Sequence, residues 1–466
     1  MHILRFPNLL LATALALAFP AALAQTPSVP ASGVIGVTDA ELSPQAWVAR
    51  LQAPDAVLLD RAAIDARNVR LLQVDDSMHD LHALPAALER ATVAHWVEDL
   101  SQRPTRTLYD ESGQVVAAAA IDQIVANVNL DAIPASQATR YGMVVQRAAL
   151  RGMPTSLRVF RSNDDTDIDR FQESALFPGT PVAIVHASAD GQWLFVVSPR
   201  YAAWIEARFV AEGTAAAVFA HADKAPYRIV TGAKVRTVHT REQPQLSELQ
   251  LDMGVRAPLA DVPGNQPVNG QHPYTSWILE LPVRDADGSL GFAPALLQKN
   301  TDTQADYLPL TRANLIHQAF KFLGERYGWG HSYNGRDCSG FVSEVYRSMG
   351  VQLPRNTSAQ SVSPAFVRTH FEKDDSRAKR MAAVAALDVG DLIYIPGHVM
   401  MYIGNIDGLP YVIHDTSGGS YLGADGALHS MHLNGVSVTP LVPMRFGKDH
   451  DYIDSITNII RVAADK

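Results

Sequence analysis

A single cysteine, Cys338, stands in a chain of 466 residues. No internal disulfide can form, so Cys338 is a small buried residue, an intermolecular link or a reactive thiol. Basic charge is also short: 39 Lys and Arg face 48 Asp and Glu, for a net charge of -9 and a pI near 6.0. A nucleic-acid binder shows a basic patch or a high pI, and that class is set aside. Beyond residue 24 no run is long and apolar enough for a membrane helix. No Walker-type phosphate loop is present, and no serine sits in a nucleophile-elbow context. His79 with His82, and His429 with His432, lack the third and fourth ligands that zinc sites use, and read as exposed histidines. Asp164, Asp165, Asp167 and Asp169 read as a solvated loop.

What is there is ordinary globular material, 47% hydrophobic and 19% charged. At roughly 100–200 residues per domain the length suggests three or four domains. The first residues have the layout of a secretion signal: Arg5, an apolar run from Leu9 to Phe19, and a small-x-small cut at Ala22-Leu23-Ala24. The mature protein is expected to be exported and soluble, in the periplasm or outside the cell. A reactive thiol there is exposed to oxidation and needs a chemical reason.

Residues 1–24 are read as the signal peptide, and 25–136 as a linker and helical N-terminal domain. Thr38-Asp39-Ala40-Glu41 resembles a helix start, and Leu84, Leu88, Trp96 and Leu100 suggest one helix. Short β-type runs follow at Met143–Val145, Leu157–Phe160, Val182–Val185 and Trp193–Val197, which suggest a small barrel over 137–212. Residues 213–298 repeat that texture more loosely, with a Pro- and Gly-rich loop from Pro258 to Pro273. Residues 299–466 begin with helices (Thr311–Leu323 and Cys338–Met349) and continue with strands at Leu392–Ile395, Val399–Ile403 and Tyr411–His414. That order predicts an α+β domain.

Asp337 is a favoured N-cap, and Phe341, Val342, Val345, Tyr346 and Met349 recur at helical spacing. Cys338 is therefore expected in a helix's first turn, where exposed N–H groups favour a thiolate with a depressed pKa. Ser339 and Gly340 are expected to keep its surroundings small and open. A thiol hydrolase needs a base. His398 follows a Pro-Gly turn at the head of an apolar strand, on one face with Met400 and Tyr402. His414 ends the next strand, where a hairpin would set it beside His398 as an orienting group.

These segments are in the order of a known family. Tyr327-Gly328-Trp329-Gly330, Arg336-Asp337-Cys338-Ser339-Gly340-Phe341, Leu353-Pro354-Arg355-Asn356-Thr357-Ser358-Ala359-Gln360, Val389-Gly390-Asp391-Leu392, Gly397-His398-Val399 and Ile413-His414 resemble the NlpC/p60 family of papain-like cell-wall cysteine peptidases over roughly residues 300–445. The upstream β regions resemble the bacterial SH3-like barrels that accompany one branch of it. The resemblance implies a papain-like α+β catalytic domain behind two SH3-like β-barrels and a helical N-terminal region. It implies cleavage of the γ-D-glutamyl bond to a diamino acid in murein stem peptides or muropeptides, by a monomer without a cofactor or metal. In that likeness Cys338 is the nucleophile, His398 the base, His414 the orienting residue and Tyr327 an oxyanion donor. Asp337 and Ser339 match residues that hold a free N-terminal L-alanine amine. Trp329 and Tyr201 are the remaining substrate contacts, Tyr201 closing one end of the site from the first barrel. A departure is His331, where the family commonly has a second glycine, in a loop one residue short; it is a rival base or a loop residue, and the second reading is favoured because it lacks a partner strand and an orienting residue. An acyltransferase or amidase using the same thioester, or a non-catalytic wall-binding protein, are the alternatives.

Overall fold

The structure is a computed structural model that describes residues 28–464, so the expected signal peptide lies outside the described residues. Residues 28–43 run as turns, and Ile35 is buried among C-terminal apolar residues. The helix expected from Thr38 starts later. Glu41 reaches back to accept the Thr38 N–H and hydroxyl at 2.8 and 2.6 Å, closing a turn. Helix α1 spans Pro44–Val48, with proline in its first turn where no N–H is needed. Helix α2, Arg61–Val74, is capped by Asp60, which accepts from the Ala63 N–H at 2.8 Å. Trp47, Ile64 and Leu71 share one core with Leu315, Phe341, Val345, Met401 and Ile413. Residues 28–75 are thus built into the C-terminal unit. Trp47 lies against Gly404, where φ is +145° and a Cβ would come within 3.1 Å of its ring.

Helices α3 (Arg90–Leu100) and α4 (Ala118–Asn127) bury Val93, Val97 and Ile121 against Phe195, Val197 and Trp204. Leu84 and Leu88 precede α3 instead of joining it. Pro85 breaks the helical run, and Leu88 sits in a short strand, Ala87–Glu89, paired with Ser136–Ala138.

The next unit is a seven-stranded antiparallel sheet. Its strands are β1 (Arg140–Val144), β2 (Ala148–Arg151), β3 (Gln172–Leu176), β4 (Pro181–Ala187), β5 (Trp193–Val197), β6 (Ala202–Glu206) and β7 (Val210–Gly213). They lie in the order β7-β1-β4-β5-β6-β2-β3. Leu157–Phe160 is not a strand. Phe160 makes a single antiparallel bridge with Tyr109, whereas the Val159 N–H donates to the Asp169 carboxylate at 3.2 Å and the Leu157 carbonyl accepts from Arg151 at 2.6 Å, so side chains take two of the bonds that a ladder would use. Residues 227–304 form three small sheets: Tyr227–Val230 with Arg256–Pro258 and Thr303–Gln304, Lys234–Arg236 with Gln250–Asp252, and Ser276–Arg284 with Leu290–Gln298. Val230, Leu251, Leu279 and Leu297 join them in one core.

In the C-terminal unit, helix α5 (Arg312–Phe320) is capped by Thr311, and helix α6 spans Cys338–Arg347. The strands are β8 (Val367–His370), β9 (Leu392–Ile395), β10 (His398–Ile406), β11 (Leu409–Thr416), β12 (Gly435–Pro440) and β13 (Asn458–Arg461). They form an antiparallel sheet in the order β8-β13-β9-β10-β11-β12. Phe341, Val342, Val345 and Tyr346 of α6 are fully buried, in one core with Val399 and Met401 of β10 and Ile413 of β11. This packing sets the start of α6 beside the start of β10.

Candidate active site

Asp337 caps α6 by accepting the Gly340 N–H at 2.8 Å. Cys338 in the first turn is only 6% exposed. The backbone N–H of Val399, the residue after His398, is near enough to the sulfur to favour its thiolate. His398 Nε2 and His414 Nδ1 are 2.7 Å apart, and His414 Nε2 lies 3.0 Å from Thr439 Oγ1 on β12. The tautomers in which His398 can act as a base have His398 donating from Nε2 to His414 Nδ1 and His414 donating from Nε2 to Thr439. That leaves His398 Nδ1 as the basic nitrogen. The structure therefore pairs His398 with His414, adds Thr439, and sets Cys338 beside the backbone of Val399, the residue after His398.

Burial pushes His398 down to about 4 and His414 well below the ordinary imidazole value. Both rings are neutral at physiological pH, the state that a base requires. The thiol departs from expectation. Burial, helped by the negative charges of Asp337 and Asp415, pushes Cys338 up to about 12, against the pull of the Val399 N–H and Arg355. Desolvation of the thiolate outweighs the helix terminus. The resting pair is a neutral thiol beside a neutral imidazole.

The surroundings of the thiol are also packed rather than open. Ser339 is buried, and a Cβ on Gly340 would lie 2.5 Å from His331 Cε1. His331 is not a bare loop residue. Its Nε2 is 3.1 Å from Glu344 Oε1, and its Nδ1 accepts from Arg355 at 3.0 Å. Arg355 also donates to Asp337 at 2.7 and 3.2 Å, to Ser339 Oγ at 2.9 Å and to Ser174 Oγ at 2.6 Å. Burial would raise the Asp337 carboxyl, but Arg355 and His331 hold it at about 2. Burial and then the Arg355 charge keep His331 near 4, with both nitrogens engaged, so it is no rival base.

A cleft of about 810 Å³ opens beside this network, lined by His398, Tyr327, Trp329 and, across from them, Asp164, Asp165 and Asp167. Three of the acidic residues thus line the cleft. Asp169 is buried and ion-paired with Arg151 instead of being solvated. Burial first, then Cys338, Asp337 and Asp415, raise the Tyr327 hydroxyl, so it remains a donor. Trp329 is fixed by its indole N–H, which donates to the Gln172 carbonyl at 2.9 Å. Tyr201 donates its hydroxyl to Glu173 Oε2 at 2.7 Å. Burial raises the Glu173 carboxyl, opposed by Tyr201 and Arg355.

Glu173, Thr439, Glu344 and Asp415 carry no local signal in the sequence. Period-2 alternation from Val412 to His414 could have pointed to a β12 partner, but not to Thr439 in particular. Asp415 is fully buried, and neither of its carboxylate oxygens has a hydrogen-bond partner among the described residues. Burial, with Asp337 and Glu325 nearby, raises its pKa well above the carboxylate range.

The C-terminal unit carries a peptidase-family domain: residues 324–442 match the NlpC/P60 family, and residues 158–206 match the SH3 domain of the SH3b1 type. Among curated proteins, the chain is 35% identical over 124 residues to a probable endopeptidase p60 of Listeria welshimeri, a span of 23% of this chain and 20% of that one. It is 34% identical over 125 residues to a gamma-D-glutamyl-L-lysine dipeptidyl-peptidase of Bacillus cereus, covering 24% and 33%. The chain thus spans a third or less of the length of these relatives. Among solved structures, an NlpC/P60 endopeptidase from Photobacterium damselae subsp. piscicida aligns over 90% of this chain and 96% of its own, with a TM-score of 0.70 at 17% identity. That likeness concerns the fold.

Proposed function

We propose that this protein is an exported peptidoglycan hydrolase that cleaves the bond between γ-D-glutamate and a diamino acid in stem peptides with a free N-terminal L-alanine. The observation that carries the reading is the relay from the Cys338 neighbourhood through His398 to His414 and Thr439. His398 takes the thiol proton as Cys338 sulfur attacks the γ-carbonyl carbon. The Tyr327 hydroxyl, with backbone N–H groups at the start of α6, meets the oxyanion. The imidazolium then gives its proton to the leaving amine of the diamino acid, and a thioester remains on Cys338. Water, deprotonated by the same ring, releases the glutamyl product and restores the thiol. His414 keeps the His398 ring oriented and in its basic tautomer.

The substrate's ammonium end fits the other side of the site. Asp337 is held ionised by Arg355, and Glu173 sits on Tyr201 from the SH3-type unit. Two carboxyl groups suit an ammonium, and their burial favours a small residue there. Ser339 supplies a further oxygen, and Trp329 forms an apolar wall. The test uses wild type and Cys338→Ala with L-Ala-γ-D-Glu-diaminopimelate, its N-acetylated form, and intact sacculi, read by mass spectrometry. Release of the diamino acid from the free tripeptide alone, and by wild type alone, is expected. Equal cleavage of the acetylated peptide would refute the amine site, and no cleavage of any substrate would refute the peptidase reading.

A further inference from the structure

A second cavity, of about 300 Å³, lies at the junction of the SH3-type sheet, the 227–304 region and the C-terminal unit. Four arginines line it, Arg200, Arg256, Arg347 and Arg355, and no aspartate or glutamate does. Three of them have their donors engaged. Arg355 binds Asp337, Arg347 donates to the Met253 carbonyl, and Arg256 donates to the carbonyls of Ala222, Asp223 and Lys224. Arg200 differs. Its one hydrogen bond among the described residues is a 3.5 Å contact with the Pro354 carbonyl, and its Nε is buried with no partner among them. His221, 4% exposed, also lines the cavity and leaves Nδ1 buried and unpartnered. Asp337 and Glu344 are the negative charges that reach Arg200, and neither lines the cavity.

Clustered guanidiniums repel one another, and at the half-buried positions of Arg200, Arg256 and Arg347 water screens that repulsion only in part. Burial, then Arg347 and Arg355, bring Arg200 down to about 9. A native fold keeps such a group when something neutralises it. The cavity is large enough for a compact molecule and too small for a polymer segment. A planar fork of N–H donors matches the oxygens of a phosphate or a carboxylate.

We propose that this cavity binds a small multivalent oxyanion, a phosphate monoester or a dicarboxylate, with Arg200 as its primary ligand. Its lining differs from that of the catalytic cleft: Arg200 and His221 do not line that cleft, while Tyr201 and Arg355 line this cavity and also neighbour the proposed amine site. The proposal does not depend on the peptidase reading.

The test is binding to the full chain by calorimetry and thermal unfolding. The probes are glycerol phosphate, glutarate and, at matched ionic strength, sodium chloride. Saturable binding of one or both oxyanions with a Kd below about 10 mM, absent with chloride, is expected. The stronger binder identifies the chemistry of the source. Arg200→Gln should weaken that binding at least about tenfold. Without anion, the variant should unfold at the same temperature as wild type or higher, because a repelled charge has been removed. Equal binding by the variant, no saturable binding of either oxyanion, or a lower unfolding temperature for anion-free Arg200→Gln would each overturn the proposal.

Discussion

Asp415→Asn isolates the cost of a buried carboxylate behind the candidate active site. In wild type the side chain is fully buried, and neither oxygen is hydrogen-bonded among the described residues. Its folded pKa lies well above the ordinary value, because burial and the charges of Asp337 and Glu325 outweigh Arg336. The folded protein therefore holds this proton more tightly than the unfolded chain, whose aspartates titrate near pH 4. As pH rises from there, the unfolded chain releases the proton first, and this residue costs the native state increasing stability. The variant has no such titration. Asparagine keeps the size and the unsatisfied polar atoms, so the two proteins should be nearly equal near pH 4. A gap should then open with rising pH. An unsatisfied buried polar group costs about 1–3 kcal/mol, and more when charged, so the variant should gain at least about 1 kcal/mol near pH 8. Urea unfolding at both pH values, read as the midpoint at constant slope, measures it. A gap that is the same at both pH values, or a wild type more stable near pH 8, would refute the assignment of a buried, unpaired carboxyl.

Other expectations follow from the same geometry. Wild-type Cys338 should alkylate slowly at neutral pH and keep accelerating beyond pH 9, since its thiol is pushed up to about 12; a plateau near neutral pH would mean a resting thiolate. His398 stays basic down to about 4, so peptide hydrolysis should persist at pH 5 and fall only as the ring protonates near that value, in a pH profile of kcat/KM. His398→Ala should abolish turnover, whereas His414→Ala should slow it less, because the first removes the proton acceptor and the second only its orientation; equal losses would merge the two roles. Gly340→Ala places a methyl 2.5 Å from the His331 ring and should destabilise the protein by about 1–3 kcal/mol in urea unfolding.

Elements whose pattern is local were legible in the sequence. The Asp337 cap and the apolar stripe from Phe341 to Tyr346 announce α6, and Leu392–Ile395 was delimited because a turn bounds each side of an apolar run. The neighbourhood of His398 and His414 followed from a hairpin of adjacent strands. Misreadings arose where a side chain diverted the backbone: Glu41 closes the turn at Thr38, and Asp169 and Arg151 occupy the backbone of Leu157–Val159. The thiol was misjudged for a related reason. A helix N-terminus can be read from a cap, but the depth of burial that outweighs it depends on packing far along the chain. Glu173, Arg355 and His331 meet across separations of 158 residues or more in part, as in the Gln172 to Gly330 contact that docks the two units, and no periodicity encodes that meeting.

The incorporation of residues 28–75 into the C-terminal core has a consequence for the order of assembly. Arg67 donates to the carbonyls of Val462 and Ala464, contacts that span 395 and 397 positions, and Tyr411 donates to the Gly36 carbonyl across 375. Contacts this distant in sequence close late, because the loop between them must be ordered first. The early segment waits for strands made nearly four hundred residues later, and the sheet that carries His398 and His414 is not fully clad until it returns. A protein built this way matures as a whole, and a partly synthesised chain holds Cys338 without its finished scaffold.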